Sequence, residues 1–165
     1  MTNKVYLKGT GGRLKPLGKR MVTKAMYLRG KQFFLAAYLL YEKIGKEYAF
    51  LHLLCQGLEI TLKSALLYKD YDKNKIQLSK PLGHNLDKIL KLYLLEYGIK
   101  RIDKRISSEI IELNSFYKTH RMRYASTVDI LIDPKTIKTT WSIKLIARLV
   151  KSFDKEFDIP RKTDH

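Results

Sequence analysis

Apolar residues recur every three or four positions along most of this chain, and that spacing restricts the fold to packed α-helices. In the clearest segment, from about Lys46 to Tyr68, one face carries Phe50, Leu51, Leu54, Leu58, Leu62 and Ala65. The same period is found over residues 21–44 (or 31–44), 86–97, 103–124 and 140–157. Five helices with short links predict an all-α protein built as an antiparallel four- to five-helix bundle.

The segments between these helices lack the helical period. Residues 69–83 are predicted to be a polar loop, and residues 128–134 a short strand or extended loop. Residues 1–24 are basic and contain a glycine cluster, so they predict a flexible arm ahead of a bundle over residues 25–160.

The charge balance indicates an acidic partner. There are 33 Lys and Arg residues against 16 Asp and Glu, which gives a net charge of +17. RNA, DNA or a nucleotide is the first expectation, and anionic lipid or an acidic protein is the second. A solvated lysine-rich surface is the alternative without function. Residues 1–31 contain no acid, and the predicted nucleic-acid contacts in this region are Arg13, Lys15, Lys19 and Arg20.

The single cysteine, Cys55, lies in an apolar helical segment and cannot form an internal disulfide or a zinc site, so it predicts a core residue in a cytoplasmic protein. The longest apolar run, residues 33–41, is shorter than the roughly 20 residues that cross a bilayer, so no membrane partner is expected. No metal-binding motif is present, and no metal or cofactor is predicted.

A polar stripe runs beside the apolar face of the second predicted helix. Its members are spaced by four, three and four residues and lie within roughly 60° of one another: His52, Gln56, Glu59 and Lys63. Glu59 and Lys63 either stabilise an exposed helix surface or form part of a seam at a bundle or dimer interface. His84, just ahead of the third helix, is assigned to the same polar seam, while Asn85 is explained by helix capping.

A second candidate site is the end of the fourth predicted helix. His120 lies about 40° to one side of the apolar stripe and Arg121 about 60° to the other, so both could reach a groove at the bundle edge. Lys118, Arg121 and Arg123 are predicted nucleic-acid contacts. Their alternative role is to complement the helix dipole in the last turn.

Three segments occur in an order that resembles the HEPN (higher eukaryotes and prokaryotes nucleotide-binding) domain family. They are "LLCQGLEITLKSALL", "LGHNLDKIL" and "ELNSFYKTHRMRYAS", and together they cover roughly residues 46–126. The resemblance implies a HEPN-like helical bundle, a homodimer, and a role in RNA or nucleotide handling within a toxin–antitoxin, phage-defence or CRISPR-linked system.

The RNase motif of catalytic HEPN proteins, an Arg followed after four to six residues by a His, is missing. None of His52, His84 and His120 has an Arg five to seven positions upstream, and Asn114 stands six positions before His120. An Asn cannot supply the cation that stabilises a phosphorane-like transition state. We therefore predict a non-catalytic nucleic-acid- or nucleotide-binding protein.

Two alternatives remain at this stage. One is a divergent RNase or toxin that uses His120 with Arg121 or Arg123. The other is a structural subunit of a larger complex, in which the basic arm folds on an acidic partner.

Overall fold

Six α-helices form a bundle in this computed structural model, which describes residues 14–79, 82–119, 122 and 132–159. No β-strand occurs within those ranges. In chain order the helices are α1 (Pro16–Ile44), α2 (Tyr48–Lys69), α3 (Tyr71–Ser79), α4 (Leu86–Glu96), α5 (Lys104–Tyr117) and α6 (Thr140–Glu156). The predicted all-α bundle is confirmed, with one helix more than expected.

The central helix is α2, which contacts all five other helices. Fourteen of its 22 residues are buried, among them the whole predicted apolar face. By length and composition alone α2 could cross a membrane, but 78% of its most apolar window is buried inside the bundle. Its apolar character is accounted for by its place at the core.

The first two helices form a hairpin that crosses closely at two glycines. A Cβ added to Gly30 would lie 2.6 Å from Thr61 Oγ1 and 2.9 Å from the Thr61 backbone nitrogen. A Cβ added to Gly57 would lie 3.0 Å from the Phe34 backbone nitrogen. The absent side chains therefore allow the two helix backbones to approach one another.

The N-terminal boundary differs from the prediction. Helix α1 begins at Pro16, so residues 16–24, which we assigned to the flexible arm, are helical. Proline suits the first turn because the amide hydrogen it lacks would have no partner within the helix. Residues 1–13, the rest of the predicted arm, lie outside the described residues.

The predicted polar loop over residues 69–83 is wrong, because most of it is α3. Asp70 Oδ1 accepts a hydrogen bond of 3.1 Å from the backbone N–H of Lys73 and so caps the helix. Asn74 is buried, and its side-chain amide donates to the Leu66 carbonyl at 2.8 Å. Helix α3 is thus held by a buried hydrogen bond and lacks the apolar stripe from which a helix is normally predicted.

The region after α5 is described only in part. Helix α5 ends at Tyr117, seven residues before the predicted end. Most of the predicted strand or extended loop over residues 128–134 lies outside the described residues, and Pro134–Thr136 is a short 3-10 helix. The last helix, α6, matches its predicted bounds within one residue.

Candidate functional site

Two members of the predicted polar seam, Lys63 and His84, contact the buried carboxylate of a third, Glu59, whose side chain is 5% exposed. Lys63 Nζ lies 2.6 Å from Glu59 Oε1. The Tyr117 hydroxyl donates to Oε2 at 2.6 Å, and His84 Nδ1 lies 3.0 Å from the same oxygen. We call these four residues, Glu59, Lys63, His84 and Tyr117, the Glu59 cluster.

The hydrogen bonds decide the charge of Glu59. Burial raises the pKa of this carboxyl, but the hydrogen bonds from Lys63, Tyr117 and His84 outweigh it, so the net pKa lies below the ordinary value of 4.5. Lys63 Nζ donates a second hydrogen bond of 2.7 Å to the Gly83 carbonyl. The lowered pKa keeps Glu59 ionised at neutral pH, with Lys63 as its ion-pair partner.

Neighbouring contacts give the Glu59 cluster a structural setting. The Asn114 side-chain oxygen accepts a hydrogen bond of 2.8 Å from the backbone N–H of Leu86, and its amide nitrogen lies 3.2 Å from Asn85 Oδ1. Asn85 also caps α4, as predicted, through the backbone N–H of Lys88 at 3.0 Å. Asn114 thus joins α5 to the start of α4.

The other residues of the predicted seam lie on the same helix. His52 is half-buried, and its ring centroid lies 5.8 Å from that of Tyr117. Gln56 is half-buried one turn further along α2. Cys55 is fully buried, and its pKa is raised by that burial and, to a smaller extent, by the charge of Glu59. The thiol is a core group, as predicted.

The candidate site at the end of the fourth predicted helix is only partly described. His120, Arg121 and Arg123 lie outside the described residues, whereas Lys118 is exposed at the C-terminal end of α5. Met122, between the two arginines in the chain, is buried.

The basic residues predicted as nucleic-acid contacts in the N-terminal region differ in their surroundings. Arg13 lies outside the described residues, while Lys15 and Arg20 are exposed. Lys19 forms an ion pair of 2.5 Å with Asp72 of α3, so its charge is neutralised by the protein itself.

A second group of cations, which we did not single out from the sequence, lies on α6. Its four members are exposed and fall within an arc of roughly 60°, and we call them the α6 cationic row: Lys144, Arg148, Lys151 and Lys155. The two acids of α6 lie outside this arc. Asp154 contacts Tyr27 and Lys31, and Glu156 contacts Tyr68. The spacing of four, three and four would have revealed the row.

Trp141 lies at the N-terminal end of the row. The guanidinium carbon of Arg105 is 3.6 Å from the centroid of its ring, and Lys144 Nζ is 4.2 Å from it. Both distances are within the range of cation–π contacts. The indole therefore brings a cation of α5 beside the row on α6.

A buried acid fixes the start of α6 against α5. Glu109 Oε2 accepts hydrogen bonds of 2.8 Å from the backbone N–H groups of Trp141 and Ser142, and the Ser142 hydroxyl lies 3.2 Å away. These are amides of the first turn, which have no acceptor within the helix. Glu109 thereby sets the position of Trp141 and of the row that follows it.

Comparison of this chain with protein-family models, curated proteins and solved structures gives no match. Within the described ranges, no three His, Cys, Asp or Glu side chains form a group that could hold a metal ion.

Proposed function

We propose that this protein binds nucleic acid without cleaving it, and that the α6 cationic row holds the phosphate backbone. The observation that carries the proposal is the row itself: four exposed cations on one side of a helix, with both acids of that helix outside the arc. Such a stripe is the electrostatic footprint of a surface that binds phosphates.

The Glu59 cluster supports the non-catalytic part of the proposal. Lys63 forms an ion pair with Glu59 and donates a hydrogen bond to the Gly83 carbonyl. Beside the cluster, the Asn114 side chain accepts a hydrogen bond from the backbone N–H of Leu86. These contacts are made within the bundle, so the proposal assigns Lys63 and Asn114 to helix packing. A HEPN-like bundle that acts in a toxin–antitoxin, phage-defence or CRISPR-linked system remains the proposed setting.

The test compares a variant that lacks the four cations of the row with a variant that lacks four cations elsewhere on the surface. The row variant carries Lys144→Gln, Arg148→Gln, Lys151→Gln and Lys155→Gln. The control variant also loses one Arg and three Lys, all exposed but scattered over α1, α3 and α4: Arg29→Gln, Lys43→Gln, Lys75→Gln and Lys88→Gln. Both variants have the same net charge, so they differ only in where the charge was removed.

Binding of a fluorescently labelled RNA and DNA is measured by anisotropy over a range of salt concentrations. If all four cations contact phosphates of a single strand, the row variant should lower the slope of log affinity against log salt by roughly 3, at about 0.7 per contact. The control should keep the wild-type slope. Equal loss in both variants would contradict a localised site, and equal competition by poly-glutamate would favour an acidic protein partner.

The same RNA, recovered after incubation, tests for cleavage. We expect it to remain intact with the wild-type protein. Cleavage that disappears in His120→Ala would favour the alternative of a divergent RNase.

A further inference from the structure

A cavity of about 340 Å³ opens between α4, α5 and α6, beside the α6 cationic row. Its size is within the range of small-molecule sites. Leu149 and Ile106 are buried and form part of its inner wall, and Tyr93 contributes an aromatic ring that is half-buried. The interior is therefore apolar and suited to a flat or aliphatic group.

The rim of this cavity is polar and positively charged. Arg101 and Arg148 line it and are exposed, and Arg148 belongs to the α6 cationic row. Ser152, one turn beyond Arg148, adds a hydroxyl to the rim. The carboxylate of Asp103 also lies at the rim, where it is paired with Arg105 at 2.6 Å. An anionic chain bound along the row would therefore pass the mouth of the cavity at Arg148.

The cavity and the row together match one ligand chemistry, a base joined to a phosphate. Bases that are displaced from a stack are held in pockets between aromatic or apolar side chains, with hydrogen bonds to their edges. The bases of a duplex are stacked and paired, so they reach such a pocket only after an unstacking cost of a few kcal/mol. A single strand presents its bases without that cost.

We infer that the cavity between α4, α5 and α6 receives one unstacked base of a single-stranded nucleic acid whose phosphates lie on the α6 cationic row. The inference rests on the proposed function and adds the class of nucleic acid. A free mononucleotide offers the same base and phosphate, so the experiment includes it.

The test fills the cavity without changing the charge. Ile99 lines the mouth and is 39% exposed, so Ile99→Trp introduces a larger apolar side chain there. The matched control is Ile111→Trp, because Ile111 is also an exposed isoleucine and does not line the cavity. Ser152→Trp fills the cavity from α6 and serves if Ile99→Trp fails to fold, which thermal melting would reveal.

The probes are a labelled 15-nucleotide single strand, the same sequence as a duplex, and AMP as competitor. Since one base contact contributes about 1–3 kcal/mol, the wild-type protein should bind the strand at least about fivefold more tightly than the duplex. Ile99→Trp should abolish this preference and leave the salt slope unchanged, whereas Ile111→Trp should keep both.

Three other results would overturn the inference. Equal binding of strand and duplex, unaffected by Ile99→Trp, would remove the base pocket and leave the proposed function standing. Displacement of the strand by AMP at matching affinity would indicate a mononucleotide site instead. Binding of neither nucleic acid would overturn both proposals.

Discussion

The Glu59 cluster and the α6 cationic row use charge in opposite ways. The cluster buries an acid and a lysine that neutralise each other, and a tyrosine and a histidine complete the hydrogen bonding. The row exposes four cations away from the acids of its own helix. Buried charge is costly unless it is paired, whereas exposed charge contributes little to folding and remains available to a ligand. Charge at the first site therefore serves the fold, whereas charge at the second is the part of the molecule to which we assign the proposed binding.

The strongest way to break this comparison is Glu59→Leu. The substitution leaves the Lys63 ammonium buried without its counter-ion, and we expect it to lower the free energy of unfolding by roughly 3–5 kcal/mol. Urea denaturation measures the loss. The double variant Glu59→Leu with Lys63→Met is the control, because it removes both charges and should recover most of the stability. A single variant as stable as the wild type would mean that the pair does not support the fold.

Tyr117→Phe removes one hydrogen bond to Glu59 and retains the ring that packs against His52 and His84. A hydrogen bond to a charged group contributes about 1.5–3 kcal/mol, so the free energy of unfolding should fall by that amount. Denaturation at neutral pH gives the value. An unchanged stability would show that the ring, and not the hydroxyl, is what matters.

The pH dependence of stability gives a third test. Because the pKa of Glu59 is lower in the folded state, its ionisation adds stability that is fully present above about pH 4.5, the ordinary value, and is lost as pH falls through the folded-state pKa. The difference in unfolding free energy between wild type and Glu59→Gln should therefore narrow below pH 4.5. One proton limits the slope to about 1.4 kcal/mol per pH unit. A difference that stays constant from pH 6 to 3 would contradict this assignment.

Arg105→Gln tests an exposed cation that does have a protein partner. The variant loses the contact with Trp141 and the ion pair with Asp103, and both contacts are exposed to solvent. We therefore expect a loss of stability much smaller than that of Glu59→Leu, measured by denaturation, together with a change in tryptophan emission. A loss as large as that of Glu59→Leu would erase the distinction between the two regions.

The smallest effect is expected from the row variant itself. Removing the four cations should change the free energy of unfolding by less than about 0.5 kcal/mol, because exposed substitutions rarely do more. Weaker self-repulsion, as the net charge falls from +17, acts against the loss of the Lys144 contact with Trp141, so the two effects should largely offset each other. The scattered control variant should behave alike. A clear loss confined to the row variant would mean that α6 depends on these side chains for packing.

The parts of the fold that the sequence predicts are those with one buried face. Helices α2, α4 and α6 match their predicted bounds within about two residues because a regular apolar stripe defines each. Helix α3 has no such stripe and is held by Asp70 and Asn74, so its sequence resembles a loop. The start of α1 was predicted too late, because the basic, glycine-containing segment around it lacks a regular apolar stripe.

In the candidate sites too, sequence spacing predicts the local contacts and does not predict those that depend on tertiary packing. The spacing of Glu59 and Lys63 predicted their pairing, but the hydroxyl of Tyr117 reaches Glu59 across 58 residues of chain, which local spacing cannot reveal. Tyr117 is buried among the core residues and also donates this hydrogen bond. The α6 cationic row is regular in sequence, yet its exposure depends on the packing of α5 and on the Glu109 cap.

Trp141 is the only tryptophan among 165 residues, and it borders the α6 cationic row. The intrinsic fluorescence of the protein therefore comes chiefly from one indole, whose intensity and emission wavelength respond to nearby cations and to water. A polyanion that binds to the row as proposed would draw Lys144 away from the ring and so change the tryptophan fluorescence. Stopped-flow recordings on the unmodified protein would then follow association in real time, without a dye on either molecule.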